Sequence, residues 1–577
     1  MGLSENRVVA PVVGGSESQK WAKFAERRLV WLMVVLFGLL QVWAHRNDMS
    51  PDGISYIELA HSYVAFGLPG LTNAYWSPLY PFLIGVTFGL FHPPIAWEFT
   101  AVHFLNFVIY IASFACFRVL LKRLEKARGL AAQTSDGFAH AEFRWTALLG
   151  GVLFLWAAQF WLSPSLVNPD LCVAALMYLA TAVLLRILRK GCGVPTWIIL
   201  GGILGVAYLA KAAMFLVGFV FLGCAFFLAR RKQSTRRAVL EMLVGLAMFL
   251  VVATPWIMAL SDAKGRWTFG DSGKIAYAEY VNHATLTTHW QGLPVGTGAP
   301  RHPTREILAD PAMYEFAQPI PGSYPPWRDP SYWYDGIRAH FELRGQLWVM
   351  FRALNMYFKM FSKSGALYVV LIALLWAVHR TGRWQHVAPE MWLVMLPPLA
   401  ALAMYALVWV EFRYVSPFVL MLLVWTFSRV ELASSADVRL LRRVGLALML
   451  APLVAILWPL LRDTGSILRD QPDEDWQVAT ALPGLGVATG AGVGYIGSGL
   501  DAYWAYLAGD RIIAEIPGRD QSAFISTEQE KKYAILQRFK ALGAKAVITK
   551  NAGVAGSMSG WQHIGATRYY IWRPGEQ

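Results

Sequence analysis

Charged residues are scarce in this chain. They make up 15% of its 577 residues, against roughly 25% in a soluble globular domain. With 56% hydrophobic residues, that scarcity excludes an ordinary soluble protein. Cysteine is scarcer still. Cys116, Cys172, Cys192 and Cys224 fall in apolar runs or short links without metal spacing, which excludes a disulfide frame and points to packing. No small-x-small cleavage site follows the apolar run after Arg27-Arg28, so that run is expected to stay as an anchor. Internal repeats are lacking as well.

What is present is a series of long apolar runs between Leu29 and Leu461. Lys122-Arg123, Arg189-Lys190, Arg230-Arg231-Lys232 and Arg442-Arg443 stand between them. The formal net charge of +14 is therefore assigned to membrane orientation and not to a nucleic-acid partner. Crossings are expected near 29–44, 97–121, 145–162, 171–188, 197–210, 214–229, 239–259, 364–378, 391–410, 414–428 and 444–461, about eleven in all. The charge rule places the basic links 122–144, 186–196, 230–237, 379–390 and 429–443 in the cytoplasm. The rule holds only if the short run Leu79–Phe91 lies in the outer interface instead of crossing.

The expected fold class is a polytopic α-helical membrane protein with a small C-terminal α/β domain. Residues 1–28 form a cytoplasmic N-terminus. Residues 29–259 form a transmembrane module carrying a first external loop, 45–96. Residues 260–363 make a long external loop, 364–461 further membrane helices, and 462–577 the external α/β domain. In that tail, strands are expected near 485–496, 511–516, 545–549 and 567–573, with helices at 501–508 and 527–542. Gly492-x-Gly494-x-x-Gly497, with Glu515 beyond it, formally fits a dinucleotide fingerprint. An external domain has no nicotinamide cofactor to bind, so the glycines are assigned to tight turns.

The residues that carry chemistry are few. Ser50 is a good N-cap, Pro51 suits the first helical position, and Asp52 falls in the first turn of a helix ended by Gly67 and Pro69. A first-turn acid complements the helix dipole by about 0.3–1 kcal/mol, which is reason enough for Asp52 or for Asp170 in Asn168-Pro169-Asp170. Lys211 stands between two apolar runs at their outer end, where it either snorkels or faces a wet cavity. Arg413, in Glu411-Phe412-Arg413-Tyr414, either offers a fork of donors to a phosphate or pairs with Glu411. The stretch Gly292–Tyr334 is rich in Pro, Gly, Trp and Tyr, including Tyr324-Pro325-Pro326-Trp327 and Tyr332-Trp333-Tyr334. Its aromatics either stack on sugar rings or anchor the loop at the interface. His283, His289 and His302 lack ligand spacing, and no metal or cofactor is expected.

Asp52, Tyr56, Glu58 and Ala60 resemble the Asp-Glu-x-x-Tyr-x-Glu-x-Ala stretch of bacterial lipid A aminoarabinose transferases and their protein O-mannosyltransferase relatives, which are GT-C glycosyltransferases. Ser77-Pro78-Leu79-Tyr80-Pro81 is similar to the family's Pro-Pro-Leu-x-x-Trp, without the basic residue before it. Leu204–Lys211 is similar to its Gly-x-x-x-Gly-Leu-Ala-x-Leu-Thr-Lys run, Pro169-Asp170 to its Pro-Asp, and Arg413-Tyr414 with Pro417 to its Arg-Tyr-x-x-Pro. Gly53 stands where the family often has Glu.

The resemblance implies an enzyme of the bacterial inner membrane, with its C-terminal domain in the periplasm. The donor is then a polyprenyl-phosphate-linked sugar, and the acceptor a glycan, lipid or protein. Asp52 becomes the catalytic acid residue, with Asp48 and Asp170 as further candidates. Tyr56, Tyr80, Lys211, Arg413 and Tyr414 become the groups that hold donor phosphate or substrate. The alternative class is non-catalytic: a lipid-carrier transporter or an envelope-polysaccharide assembly protein. The enzyme reading requires Asp52, Lys211 and Arg413 to converge.

Overall fold

The computed structural model describes residues 15–128, 149–316, 322–362, 382–384, 389–428, 430–432, 438–469 and 473–575. Its helical part begins with α1 (Gly15–Ala44), α2 (Pro51–Phe66), α3 (Leu79–Phe91) and α4 (Ile95–Arg128). The helices α5 (Leu149–Leu162), α6 (Asp170–Lys190), α7 (Val194–Ala210), α8 (Met214–Ala229) and α9 (Thr235–Lys264) follow. Four described helices are long and apolar enough to cross a membrane: Ile95–Ala127, Asp170–Lys190, Thr235–Lys264 and Pro389–Ala406. Six further apolar helices are shorter, Leu79–Phe91 among them. The run expected at 364–378 lies outside the described residues.

Local signals explain the first loop. Ser50 Oγ accepts from Gly53 N at 3.2 Å, Pro51 opens α2, and Gly67 ends it at φ +68°. A β-carbon at Gly53 would press on Met49 Sδ and on the side chain of Val167, so a larger residue there needs the Met49 side chain to move. The α3 helix spans only about 20 Å at 1.5 Å per residue, short of a ~30 Å hydrocarbon core. It packs against α2 and is capped by His92 in the left-handed region.

The segment between α9 and the next long helix is folded. It holds α10 (Ser272–Tyr280), the hairpin β1 (Arg305–Ala309) and β2 (Ala312–Glu315), and the short helices α11 (Pro325–Arg328) and α12 (Pro330–Trp333). After them comes α13 (Leu343–Ser362), then helices Pro389–Ala406, Phe412–Phe427 and Val438–Arg469. Two short strands, β3 (Gly382–Trp384) and β4 (Val430–Leu432), pair with each other.

The tail carries β5 (Gly492–Gly497), β6 (Arg511–Pro517), β7 (Val547–Thr549), β8 (Trp561–His563) and β9 (Tyr570–Trp572). Helices Tyr503–Ala508 and Gln529–Ala541 lie close to their expected positions. The sheet order is β1-β2-β6-β5-β7-β9-β8, with β5 parallel to β6 and β7. The long loop and the tail, expected as separate pieces, therefore share one sheet: Tyr314 lies opposite Glu515 and Glu315 opposite Ala514. The fingerprint glycines lie within β5 and not in a turn between strand and helix. One continuous apolar core joins the membrane helices to Tyr324, Trp327 and Trp333 of the loop and to Trp504 and Tyr506 of the tail.

Candidate active site

Four helix ends meet beside Asp52. Asp52 is in the first turn of α2, and Asp170 opens α6, its N–H bonded to Asn168 Oδ1 at 2.9 Å. Lys211 is extended backbone in the break between α7 and α8, which Ala212 N fixes by donating to Ser77 Oγ at 3.0 Å. Arg413 is near the start of helix Phe412–Phe427.

Their side chains form a chain of alternating charge. Arg413 Nη2 donates to Asp52 Oδ2 at 3.1 Å, and Arg413 Nε lies 3.8 Å from Asp170 Oδ2. Lys211 Nζ donates to Asp170 Oδ1 at 2.7 Å. Lys211 Nζ also sits 3.3 Å from the centroid of the Tyr414 ring, and Arg413 Nη2 donates to Tyr414 Oη at 3.3 Å. Arg413 Nε makes a further bond to Glu411 Oε2 at 3.3 Å. Three carboxylates thus share two cations. Asp170 is 3% exposed and Asp52 37%, so the chain runs from the interior to solvent. Arg413, with its fork of donors, is the shared member.

The other predicted residues are placed unevenly. The Tyr56 ring lies 5.0 Å from Trp76 and 5.1 Å from Tyr80. Burial, then the charges of Asp52 and Asp170, push its phenol well above the ordinary range, so it stays protonated. Tyr80 is fully buried and donates to Asn106 Oδ1 at 2.6 Å, which engages its hydroxyl inside the protein. Asp48 is not brought to the cluster. Its carboxylate holds His45 Nδ1, and its carbonyl lies 2.8 Å from His103 Nε2. Among the described residues, no three His, Cys, Asp or Glu side chains are grouped as a metal site requires.

Tyr324, Trp327 and Trp333, expected either to stack on sugar rings or to anchor the loop at the interface, lie instead buried in a strap that covers α2. Ser323 N donates to Glu58 Oε1 at 2.6 Å. Arg328 donates to Glu58 O at 2.9 Å and to Gly70 O at 3.2 Å. Asn73 Nδ2 donates to Arg328 O at 2.6 Å, and Trp76 Nε1 to Trp327 O at 3.2 Å. On the far side Trp327 Nε1 donates to Leu500 O, and Tyr324 Oη to Glu515 Oε1 at 2.9 Å. Tyr324, Trp327 and Trp333 are at most 2% exposed, so these aromatics fill a core between α2 and the tail. Gly322 is at φ +115°, and a β-carbon there would strike the Glu58 carboxylate.

Burial is the largest influence on Glu58 and raises its pKa to about 7, outweighing the Ser323 N–H. A carboxyl raised in the folded state stabilises below its unfolded value, and that stability is lost as pH rises through 7. Hydrogen-exchange protection of the Ser323 amide is expected to fall between pH 5 and 8, by on the order of 2 kcal/mol in opening free energy. Glu58→Gln should flatten the profile, and an equal slope in that variant would remove Glu58 as its cause.

No family model matches the chain, and no curated protein matches it either. Solved structures are similar over most of its length. That of ArnT from Cupriavidus metallidurans in the apo state is 14% identical with a TM-score of 0.49, covering 94% of this chain and 97% of that one. The same protein bound to undecaprenyl phosphate is 13% identical with a TM-score of 0.43, covering 96% and 98%. The archaeal oligosaccharyltransferase AglB from Archaeoglobus fulgidus, in complex with an inhibitory peptide and a dolichol-phosphate, is 12% identical with a TM-score of 0.47, covering 92% and 70%. ArnT is a lipid A aminoarabinose transferase, and both proteins belong to the GT-C superfamily that the loop motifs resemble. At these identities no residue pairing passes from them to this chain.

Proposed function

We propose that the chain is an integral-membrane glycosyltransferase that moves a sugar from a polyprenyl-phosphate donor to an envelope glycan, lipid or protein. About eleven crossings then lie in a bacterial inner membrane, with the site on the periplasmic side. The observation that carries it is the ion pair between Asp52 and Arg413, continued through Asp170 to Lys211.

Such a donor leaves as a phosphate. The acceptor oxygen attacks the anomeric carbon while the bond from that carbon to the phosphate oxygen breaks. The phosphate keeps the electron pair, and Arg413 and Lys211 stabilise its charge. Asp52 takes the proton from the acceptor hydroxyl. The resting arrangement is blocked, because Arg413 holds the carboxylate that must act. A donor phosphate that takes over the Arg413 fork releases Asp52, so donor binding prepares the base. Tyr56, a protonated phenol beside the cluster, donates to phosphate or acceptor.

The test uses purified protein in vesicles with a radiolabelled polyprenyl-phosphate sugar. A transferase consumes the bond between sugar and phosphate when acceptor is added. A lipid-carrier transporter moves the intact carrier across the bilayer, and that result would replace the enzyme reading.

Lys211 gives a second test. Removing it alone leaves Asp170 buried without its nearest cation, a loss of about 3–5 kcal/mol. The double variant Lys211→Ala/Asp170→Asn avoids that cost. It is expected to raise the donor KM by about tenfold or more, the worth of one hydrogen bond to a charged group. An unchanged donor KM would return Lys211 to a structural pairing with Asp170.

A further inference from the structure

Glu411 is the third acid on the shared arginine. It stands at the N-cap of helix Phe412–Phe427, but its side chain makes no capping bond there. Its Oε1 instead accepts from Trp409 Nε1 at 3.1 Å, and its Oε2 from Arg413 Nε at 3.3 Å. Trp409 is itself held. Its ring stacks on Tyr280 with centroids 3.8 Å apart and planes 14° apart, and the Arg352 guanidinium of α13 lies 4.2 Å from its centroid. Gln346, also on α13, receives from Tyr277 and donates to Leu407 O at 2.8 Å, which fixes that helix against the same segment.

A guanidinium is a planar fork, and its usefulness to a phosphate depends on which edge it presents. Glu411 occupies Nε, while Nη2 is the atom that meets Asp52. Without Glu411, Nε is left to the buried Asp170 carboxylate at 3.8 Å, and the fork is drawn inward. Resting on the glycosyl-transfer reading, we propose that Glu411 is a positioning residue. Held by Trp409, it turns the outer edge of Arg413 toward the place where the donor phosphate displaces Asp52.

Donor and acceptor should respond differently. Glu411→Ala raises the donor KM by about tenfold, the cost of one charge-assisted hydrogen bond, and leaves the acceptor KM unchanged. Glu411→Gln keeps an acceptor of the same shape for Arg413 Nε and recovers part of the loss. Trp409→Phe keeps the stack on Tyr280 but removes the N–H, and it lowers donor affinity in the same direction. Because both residues act through one bond, Trp409→Phe/Glu411→Ala is no worse than Glu411→Ala alone. Additive losses, or a fall in thermal stability with both KM values unchanged, overturn the positioning role. If Glu411→Ala does not fold, the comparison of Glu411→Gln with Trp409→Phe decides it. A wild-type protein that fails to cleave the donor refutes the transferase reading instead, so the two failures are distinct.

Discussion

Asp52→Asn is expected to abolish most transfer, lowering turnover by at least about 10²-fold, the usual contribution of a positioned base. The fold should survive. Asp52 is 37% exposed, so the change leaves no charge buried and unpaired. Arg413 keeps Glu411 at 3.3 Å and Asp170 at 3.8 Å, and an amide oxygen at position 52 still accepts from it. What is lost is basicity alone, so donor binding should hold or tighten, since phosphate no longer competes with a carboxylate. The measurement is initial rate with a radiolabelled polyprenyl-phosphate sugar, beside donor affinity and thermal unfolding. Asp48→Asn is the matched control. Its carboxylate is engaged by His45, outside the cluster, and turnover should stay within a few fold of wild type. Full turnover in Asp52→Asn would remove the base from the mechanism whatever else the cluster does.

Parts of this site were legible in the sequence because helix ends have local grammar. Ser50, Pro51 and Gly67 mark the limits of α2, and Pro169 marks the start of α6, so Asp52 and Asp170 were placed in first turns before any contact was known. The break at Lys211 was readable as a cation between two apolar runs. The meeting of these ends was not readable, because it depends on how α6, α7 and the helix Phe412–Phe427 pack. Asp48, a further candidate before Pro51, has no local signal that sets its direction, and the turn there sends it to His45. The hairpin β1–β2 escaped because its strands span five and four residues without alternation, in a segment rich in Pro and Gly. Its partner β6 is about two hundred residues away, a distance no local pattern encodes. The bond from the strap to Glu58 and the burial of Trp327 were not readable for the same reason: each depends on a segment far away along the chain.

Trp327→Ala is expected to be the most damaging single change to stability, costing about 3–5 kcal/mol. The side chain is 1% exposed and lies where the first loop, the strap and the tail meet. Its indole N–H reaches Leu500 O in the tail, and its carbonyl receives Trp76 Nε1 from the first loop. Its ring meets Tyr324 edge-on at 5.3 Å and stacks on Tyr503 at 6.1 Å. Truncation leaves a cavity between elements that cannot close over it, because the Arg328 guanidinium stays bonded to Glu58 O and Ser323 N to the Glu58 carboxylate. Trp327→Phe removes the N–H and some volume, and about 1 kcal/mol should be lost with the hydrogen bond. The consequence reaches the site through Trp76, whose ring lies 5.0 Å from Tyr56, one helical turn from Asp52. Loss of the strap should therefore raise protease cleavage near residues 322–334 and weaken transfer together. If Trp327→Ala lowers the unfolding midpoint while the strap stays resistant and turnover is unchanged, the strap serves the tail domain and the Asp52 cluster stands without it.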